Sequence, residues 1–431
     1  MSLPPPTLPD VSDSANRGAP PRAASLAFLA AAAAAILYAL VTAFRQRWVS
    51  DDAFISFRYA ENLVRGLGLV YNPGERVEGY SNFTWTLWSA LGMRLGVEPE
   101  KWSSAGGIAC YVAALALLAW NAWTYRRESS GLAAWIPLAA ILGALHPDWQ
   151  LFATGGLETS LFALEITALY LLLARGDAGP ARAAAAGLLL GLAAMTRPDG
   201  PIFVPVVGLF LLLTGRRRLR ALLALGAAFL LVWTPYTLWR VGYYGDYFPN
   251  TYYAKSAAIP WYSQGAFYVS LYFARYWPLL LAPVLVAAAW RRRGGDAAAK
   301  VERESAGAAT SALSSWQRRA LLAAMLVAVY VAFVIRVGGD FMFARFLIPV
   351  TPLLLVLLEL GIARVALTRA WKQGVLAAAA AAGIVLTPYP LPSDPFGSIR
   401  GIVFEPNFYP RGPMDRVRRE GLALRPFFAG L

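Results

Sequence analysis

Asp51 and Asp52 stand side by side in SDDAFISFRYAENLV, directly after a long alanine-rich apolar run. Adjacent carboxylates near a low-dielectric boundary repel each other, so one holds its proton more tightly unless a cation or metal lies close. A carboxylate so placed suits general-base work on a hydroxyl, or divalent-metal binding through oxygen. Ser50-Asp51-Asp52 also reads as the cap of an amphipathic helix, because side-chain oxygens satisfy the free N–H groups of a first turn. The two roles are compatible.

Further polar residues recur in the same kind of setting. Arg58 and Glu61 interleave with Phe54, Ile55, Phe57, Tyr59 and Leu63, the pattern of a helix lying in a membrane interface. The glycine-rich GLGLVYNPGERVEGYSN follows, with an Asn-Pro-Gly turn signal and with Glu78 and Asn82 near its end. His146 and Asp148 precede GGLETS. A histidine beside proline reads as a structural hydrogen bonder, and Glu158 as a carboxylate favoured by the dipole of a starting helix. Arg197 and Asp199 in TRPDG read as an ion pair bracing a tight turn. Asp246 and Lys255 sit in the aromatic YYGDYFPNTYYAK, where Lys255 either meets a lipid phosphate or snorkels. Arg336, Asp340 and Arg345 occupy RVGGDFMFARF. Arginine near the membrane plane is costly and marks a function or a fixed partner, and Arg345 falls where a lipid phosphate would sit.

The elements that must position these residues are apolar helices. Of 431 residues, 58% are hydrophobic and 15% charged, and mean hydropathy is +0.49. That composition is of a polytopic membrane protein. The apolar runs lack period-2 alternation, which excludes an outer-membrane barrel. One cysteine, Cys110, and one histidine exclude a disulfide framework and make no zinc cage. Residues 1–22 read as a disordered cytoplasmic tail without signal-peptide features. Spans are expected at 24–44, 105–124, 132–146, 159–175, 183–196, 201–214, 221–239, 267–290, 320–336, 346–361 and 373–388. Several are shorter than the roughly 20 residues of a full crossing, so they need tilt, thinning or burial in a bundle.

Charge sets the orientation. Net charge is +14, and the arginine clusters lie in short connections between apolar runs, which speaks against nucleic acid and for cytoplasmic loops. With the N-terminus inside, five loops hold 18 Lys or Arg and the four short loops opposite hold five. Making Asn82–Leu95 a full span would invert this pattern, so that segment is expected to be interfacial or re-entrant. The transmembrane domain then covers 23–388, with a large first outer loop at 45–104, and residues 389–431 form a C-terminal tail on the outer face. The chemistry-bearing stretches 50–82, 146–160, 196–200, 243–255 and 336–345 all share that face, together with Trp, Tyr and Phe.

DDAFISFRYAENLV…GLVYNPGERVEGYSN, GLETSLF, TRPDG, YGDYFPNTYYAK and GGDFMFARFLIPVTP, in this order, resemble the membrane glycosyltransferases of the GT-C superfamily. The resembling branch is that of the mycobacterial terminal β-(1→2)-arabinofuranosyltransferase, which also includes relatives linked to flagellar motor control. The resemblance runs from about residue 45 to 360; its long first block and GGDFMFARFLIPV are specific. It implies an all-α bundle of about 11 transmembrane helices with interfacial helices in the first outer loop. It further implies transfer of a sugar, such as arabinofuranose, from a polyprenyl-phosphate donor to an envelope glycan or lipid acceptor outside the cytoplasmic membrane. The catalytic aspartate of the family maps onto Asp51 or Asp52. Asp51 is then the base toward the acceptor hydroxyl, with Asp52 orienting it or helping to bind a metal such as Mg, Mn or Ca. Arg345 and Lys255 are candidates for the carrier phosphate, and Arg58, Glu78, Asn82, His146, Glu158, Arg197, Asp199, Asp246 and Asp340 complete the substrate-binding set. Relatives read GHGLV where this chain has Gly66-Leu67-Gly68-Leu69-Val70, so a histidine is missing. Longer relatives carry a soluble outer domain after the last span, where this sequence has a Pro- and Arg-rich stretch to Leu431. The alternative is a non-catalytic protein on the same scaffold that assists envelope or motor assembly.

Overall fold

A computed structural model describes residues 22–128, 136–254, 258–291, 313–365, 370–392, 397–404, 407 and 411–428. The described chain is mostly helical. In order it forms α1 (Arg22–Arg45), α2 (Asp51–Val64), α3 (Phe83–Arg94), α4 (Pro99–Glu128), α5 (Leu138–Ala144), α6 (Pro147–Phe152), α7 (Thr159–Ala174), α8 (Pro180–Thr196) and α9 (Phe203–Thr214). These are followed by α10 (Arg218–Tyr244), α11 (Asn250–Ala254), α12 (Tyr262–Arg275), α13 (Leu281–Arg291), α14 (Ser315–Val337), α15 (Thr351–Val365), α16 (Ala370–Leu386) and α17 (Arg411–Leu424).

Among the described residues, five helical segments are long and apolar enough to cross a membrane: Arg22–Arg45, Pro99–Arg126, Arg218–Tyr244, Ser315–Val337 and Arg345–Val365. α7, α8, the segment Gly200–Thr214 and the segment Trp371–Leu386 are apolar but shorter. The chain is a multi-pass membrane protein. Two expected spans differ in the structure. The run at 267–290 is no single rod, because Tyr262–Arg275 and Trp277–Arg291 meet at 105°. Pro278 has no N–H to continue the helix, and the Arg275 guanidinium beside the break donates to Ile384 O at 2.7 Å. In the expected span 132–146, helix covers Leu138–Ala144, and His146-Pro147 then starts α6; residues 132–135 lie outside the described residues. α5 is too short to cross, and its residues are buried against α1, α4 and α15.

The bundle closes around α15, whose mainly apolar span is 94% buried; its Glu359 accepts from Ala139 N at 3.3 Å. Small residues bring helices together elsewhere. A Cβ at Gly187 or Gly191 of α8 would meet the backbone of Leu225 or the side chain of Val232 in α10, so glycine there lets the two axes approach closely. Ser314 and Gln317 form a capping box that starts α14, and Gly338 ends it in the left-handed conformation at φ 90°.

The C-terminal stretch packs near this point. Strands β1 (Ser398–Ile399) and β2 (Ile402–Val403) form a hairpin, turned by Arg400 and Gly401 at φ 51° and 74°. Val403 N donates to Phe341 O at 2.8 Å, and Phe343 N donates to Val403 O at 3.0 Å. The hairpin therefore braces the loop that carries Asp340 and Arg345.

Candidate active site

Arg345 is held by unusual backbone. Gly338, Gly339 and Ala344 all have positive φ, at 90°, 76° and 64°. For alanine this is strained and must be enforced by its surroundings. Tyr268 supplies part of that force: its hydroxyl donates to Met342 O at 3.0 Å and accepts from Phe346 N at 3.1 Å. A Cβ at Gly339 would strike the Tyr268 ring. The GGLE loop is fastened to the start of α2 as well. Ser50 N donates to Gly155 O at 3.1 Å, Trp85 Nε1 donates to Gly156 O at 2.8 Å, and a Cβ at Gly156 would contact Ala53.

Three loops and the first turn of α2 consequently meet at one point. Arg345 Nη1 lies 3.6 Å from Asp52 Oδ2 and 3.4 Å from Asp340 Oδ2, and Nη2 lies 3.7 Å from Glu158 Oε1. Beside it, Arg197 donates from Nε to Asp199 Oδ1 at 2.9 Å and from Nη1 to Glu158 Oε1 at 3.0 Å. Tyr330 Oη closes on Asp199 Oδ2 at 2.8 Å, and Asn82 Nδ2 on Glu158 Oε2 at 2.8 Å. Burial pushes the Glu158 carboxyl up, but Arg197, then Arg345 and Asn82, outweigh it and hold it below its ordinary range.

The two arginines differ in how far they are engaged. Charge-assisted N–H···O bonds are typically about 2.7–2.9 Å. Arg197 is near that value on two carboxylates and acts as a brace. Every ion-pair contact of Arg345 is longer, and its buried Nε has no hydrogen-bond partner among the described residues. Arg345 thus keeps bonding capacity for an anion. Arg197→Ala is expected to cost roughly 3–5 kcal/mol, because it leaves Asp199 and Glu158 buried without their cation. Thermal unfolding in detergent checks this, and a midpoint equal to wild type would show that the brace is dispensable.

Asp51 takes a different position. It is exposed at the first residue of α2, where its Oδ1 accepts from Asp52 N at 2.7 Å and from Ser50 Oγ at 3.4 Å. Among the described residues no three His, Cys, Asp or Glu side chains converge as a metal site.

Other residues of the sequence-derived set lie elsewhere. His146 caps α6, accepting from Trp149 N at 3.2 Å, and its ring stacks on Tyr276 at 3.9 Å. It belongs with Asp148, which accepts from Tyr276 and Tyr389, in a separate buried network. Burial drives the His146 imidazole well below its ordinary value, and likewise raises Asp148 to about 6. Arg58 pairs with Glu61 at 3.4 Å. Asp246 is exposed after α10, and Lys255 lies outside the described residues.

Glu78 is buried and accepts from Arg240 Nη1 at 3.1 Å. The sequence does not announce this partner, since Arg240 sits late in an apolar helix. Tyr80 and Tyr244 extend the contact, with Tyr244 Oη donating to Leu69 O at 2.8 Å, so the first long loop is tied to the end of α10. Desolvation raises the Glu78 carboxyl to about 7 against the pull of Arg240. A raised acid stabilises the fold fully below its ordinary 4.5 and loses that contribution as pH rises through about 7. The unfolding midpoint of wild type relative to Glu78→Gln is therefore expected to fall between pH 4.5 and 8, and a constant offset would refute the shift.

No family model matches the chain. It is 29% identical over 355 residues to a terminal β-(1→2)-arabinofuranosyltransferase of Mycobacterium tuberculosis, covering 78% of this chain and 55% of the relative. The protein of the same name from Corynebacterium glutamicum is 30% identical over 371 residues, covering 80% of this chain and 52% of the relative. The chain thus spans about half the length of the curated relatives it matches. In three dimensions it resembles ArnT from Cupriavidus metallidurans, solved bound to undecaprenyl phosphate, with a TM-score of 0.55 and 16% identity. That match covers 80% of this chain and 61% of ArnT. The chain is a homologue of the arabinofuranosyltransferases, as its motifs indicate, and shares its fold with ArnT.

Proposed function

We propose that this homologue of the arabinofuranosyltransferases is an integral-membrane glycosyltransferase. It moves a sugar, a pentofuranose such as arabinofuranose, from a polyprenyl-phosphate donor to a cell-envelope glycan or lipid acceptor. Its place is the bacterial cytoplasmic membrane, with the site on the outer face. The observation that carries this reading is the incompletely engaged Arg345, seated between Asp52, Asp340 and Glu158 at the start of α2.

In the reaction an acceptor hydroxyl attacks the anomeric carbon of the donor, the bond from that carbon to the phosphate oxygen breaks, and the phosphate departs with the electron pair. Negative charge grows on the leaving phosphate. A guanidinium already fixed there stabilises the transition state without reorganising. Asp52 and Asp340 hold Arg345 in place, while Glu158, fixed by Arg197 and Asn82, supports it from behind. Asp51, exposed on the same turn, takes the proton of the acceptor hydroxyl.

The test is reconstitution. Purified protein in lipid nanodiscs receives a radiolabelled polyprenyl-phosphoryl arabinofuranose and an arabinofuranosyl acceptor. Label passing to the acceptor supports the reading; labelled donor left intact with full-length, folded protein counts against it and favours an assembly role.

A further inference from the structure

A pocket of about 390 Å³ opens beside α2, outside the Arg345 group. Its walls include Ile55 and Tyr59 of α2, Tyr71, Asn72 and Glu75 of the loop after it, and Asn250 of α11. Its volume is in the range of small-molecule sites.

The walls are held from behind. Arg58 Nε and Asn62 Nδ2 donate to Tyr71 O at 3.2 and 2.9 Å. Tyr59 Oη donates to Val77 O at 2.7 Å and accepts from Gly79 N at 2.8 Å. Glu75 N donates to Asn72 O at 3.2 Å across Pro73 and Gly74, and Gly74 has φ 87°, which makes a type II turn. Asn250 N donates to Glu78 O at 2.8 Å, so the Glu78–Arg240 pair secures the opposite wall too. The backbone is thus fixed, and the polar and aromatic side chains are presented on it. Tyr71 is 46% exposed, and Asn72 and Glu75 bond each other at 3.0 Å at the surface.

An exposed aromatic ring beside carboxamide and carboxylate groups matches the chemistry of a sugar, with its apolar C–H face and its ring of hydroxyls. Position adds a second argument. Asp51, Ile55 and Tyr59 are spaced four residues apart and so form one stripe of α2. Asp51 lies about 6 Å along the axis from Ile55. Asp52, one residue on, turns toward Arg345. Asp51 stays exposed at the head of the stripe that leads to the pocket wall, while Asp52 pairs with Arg345.

We propose that this pocket is the subsite for the terminal sugar ring of the acceptor. Tyr71 stacks on the ring, Asn72, Glu75 and Asn250 bond its hydroxyls, and the hydroxyl to be glycosylated runs along the stripe to Asp51. Arg58, which holds the Tyr71 carbonyl, is a positioning residue. This assignment rests on the transferase reading above, so its test has one readout that does not depend on turnover. Saturation-transfer NMR measures binding of an arabinofuranosyl disaccharide to the protein in nanodiscs, and the assay above measures acceptor and donor KM. In Tyr71→Ala and in the double variant Asn72→Ala/Glu75→Gln, disaccharide binding should fall at least tenfold. Acceptor KM should rise by the same factor while donor KM stays within twofold of wild type. These side chains are at the surface, so folding is not at stake, and an unchanged unfolding midpoint verifies it. Disaccharide binding that is equal in wild type and both variants, or absent in wild type, overturns the subsite. Binding by wild type that the variants lose, without any sugar transfer, keeps the subsite and overturns the transferase instead.

Discussion

Arg345→Ala is expected to lower kcat/KM for a polyprenyl-phosphoryl sugar roughly 10²–10³-fold, the usual cost of removing one preorganised stabiliser of developing charge. The side chain is 11% exposed and its backbone is set by a strained Ala344. The variant also leaves Asp52, Asp340 and Glu158 facing one another without the shared cation, so a loss of folding has to be separated from a loss of chemistry. Arg345→Lys does this. It keeps the positive charge but loses the planar fork, and a lysine is a point donor at a site that presents three carboxylates in different directions. Arg345→Lys should fold with a midpoint near wild type and still lose most of its activity. Co-purified polyprenyl phosphate, measured by native mass spectrometry, should be depleted in both variants. Full activity in Arg345→Lys would mean that the arginine contributes charge alone. Undiminished polyprenyl phosphate in Arg345→Ala would move the donor site away from this cluster.

Asp51→Asn should reduce kcat by roughly 10²–10⁴-fold, the range for loss of a positioned general base, with donor KM unmoved. Asp52→Asn should act differently. It removes one anchor of Arg345, 3.6 Å away, and so should raise donor KM together with a smaller fall in kcat. Steady-state kinetics with both substrates varied resolves the two. If Asp52→Asn instead carries the larger kcat loss with donor KM unchanged, the roles are exchanged and Asp52 is the base. If neither variant changes the rate, Ser50-Asp51-Asp52 is a helix start and nothing more.

Most members of the charged cluster around Arg345 stand out in the sequence because they violate its local rule. In a chain that is 58% hydrophobic, Glu158, Arg197, Asp199, Asp340 and Arg345 stand out as charges beside apolar runs, and a buried charge has to find a counter-charge. The apolar runs likewise mark the helices, since a backbone out of water must bond within itself. Those inferences are local, and so are their failures. Tyr276-Trp277-Pro278 breaks the expected span at 267–290, because one proline and the tertiary bond from Arg275 to Ile384 O outweigh average hydropathy.

Which charge meets which is a different kind of fact. His146 and Glu158 lie twelve residues apart on one connection, yet His146 packs with Tyr272 and Tyr276 while Glu158 bonds Asn82 and Arg197. Glu78 and Asn82, four residues apart, part in the same way, one to Arg240 and the other to Glu158. The sequence by itself determined that this is a helical membrane protein with acidic and basic residues concentrated in a few loops, since hydropathy and charge belong to each segment alone. The pairing of those loops, the different surroundings of Asp51, left exposed, and Asp52, paired with Arg345, and the tyrosine that pins Arg345 were decided only by the tertiary structure. Ion pairs and hydrogen bonds act over a few ångströms, and helix packing is what brings residues hundreds of positions apart within that distance.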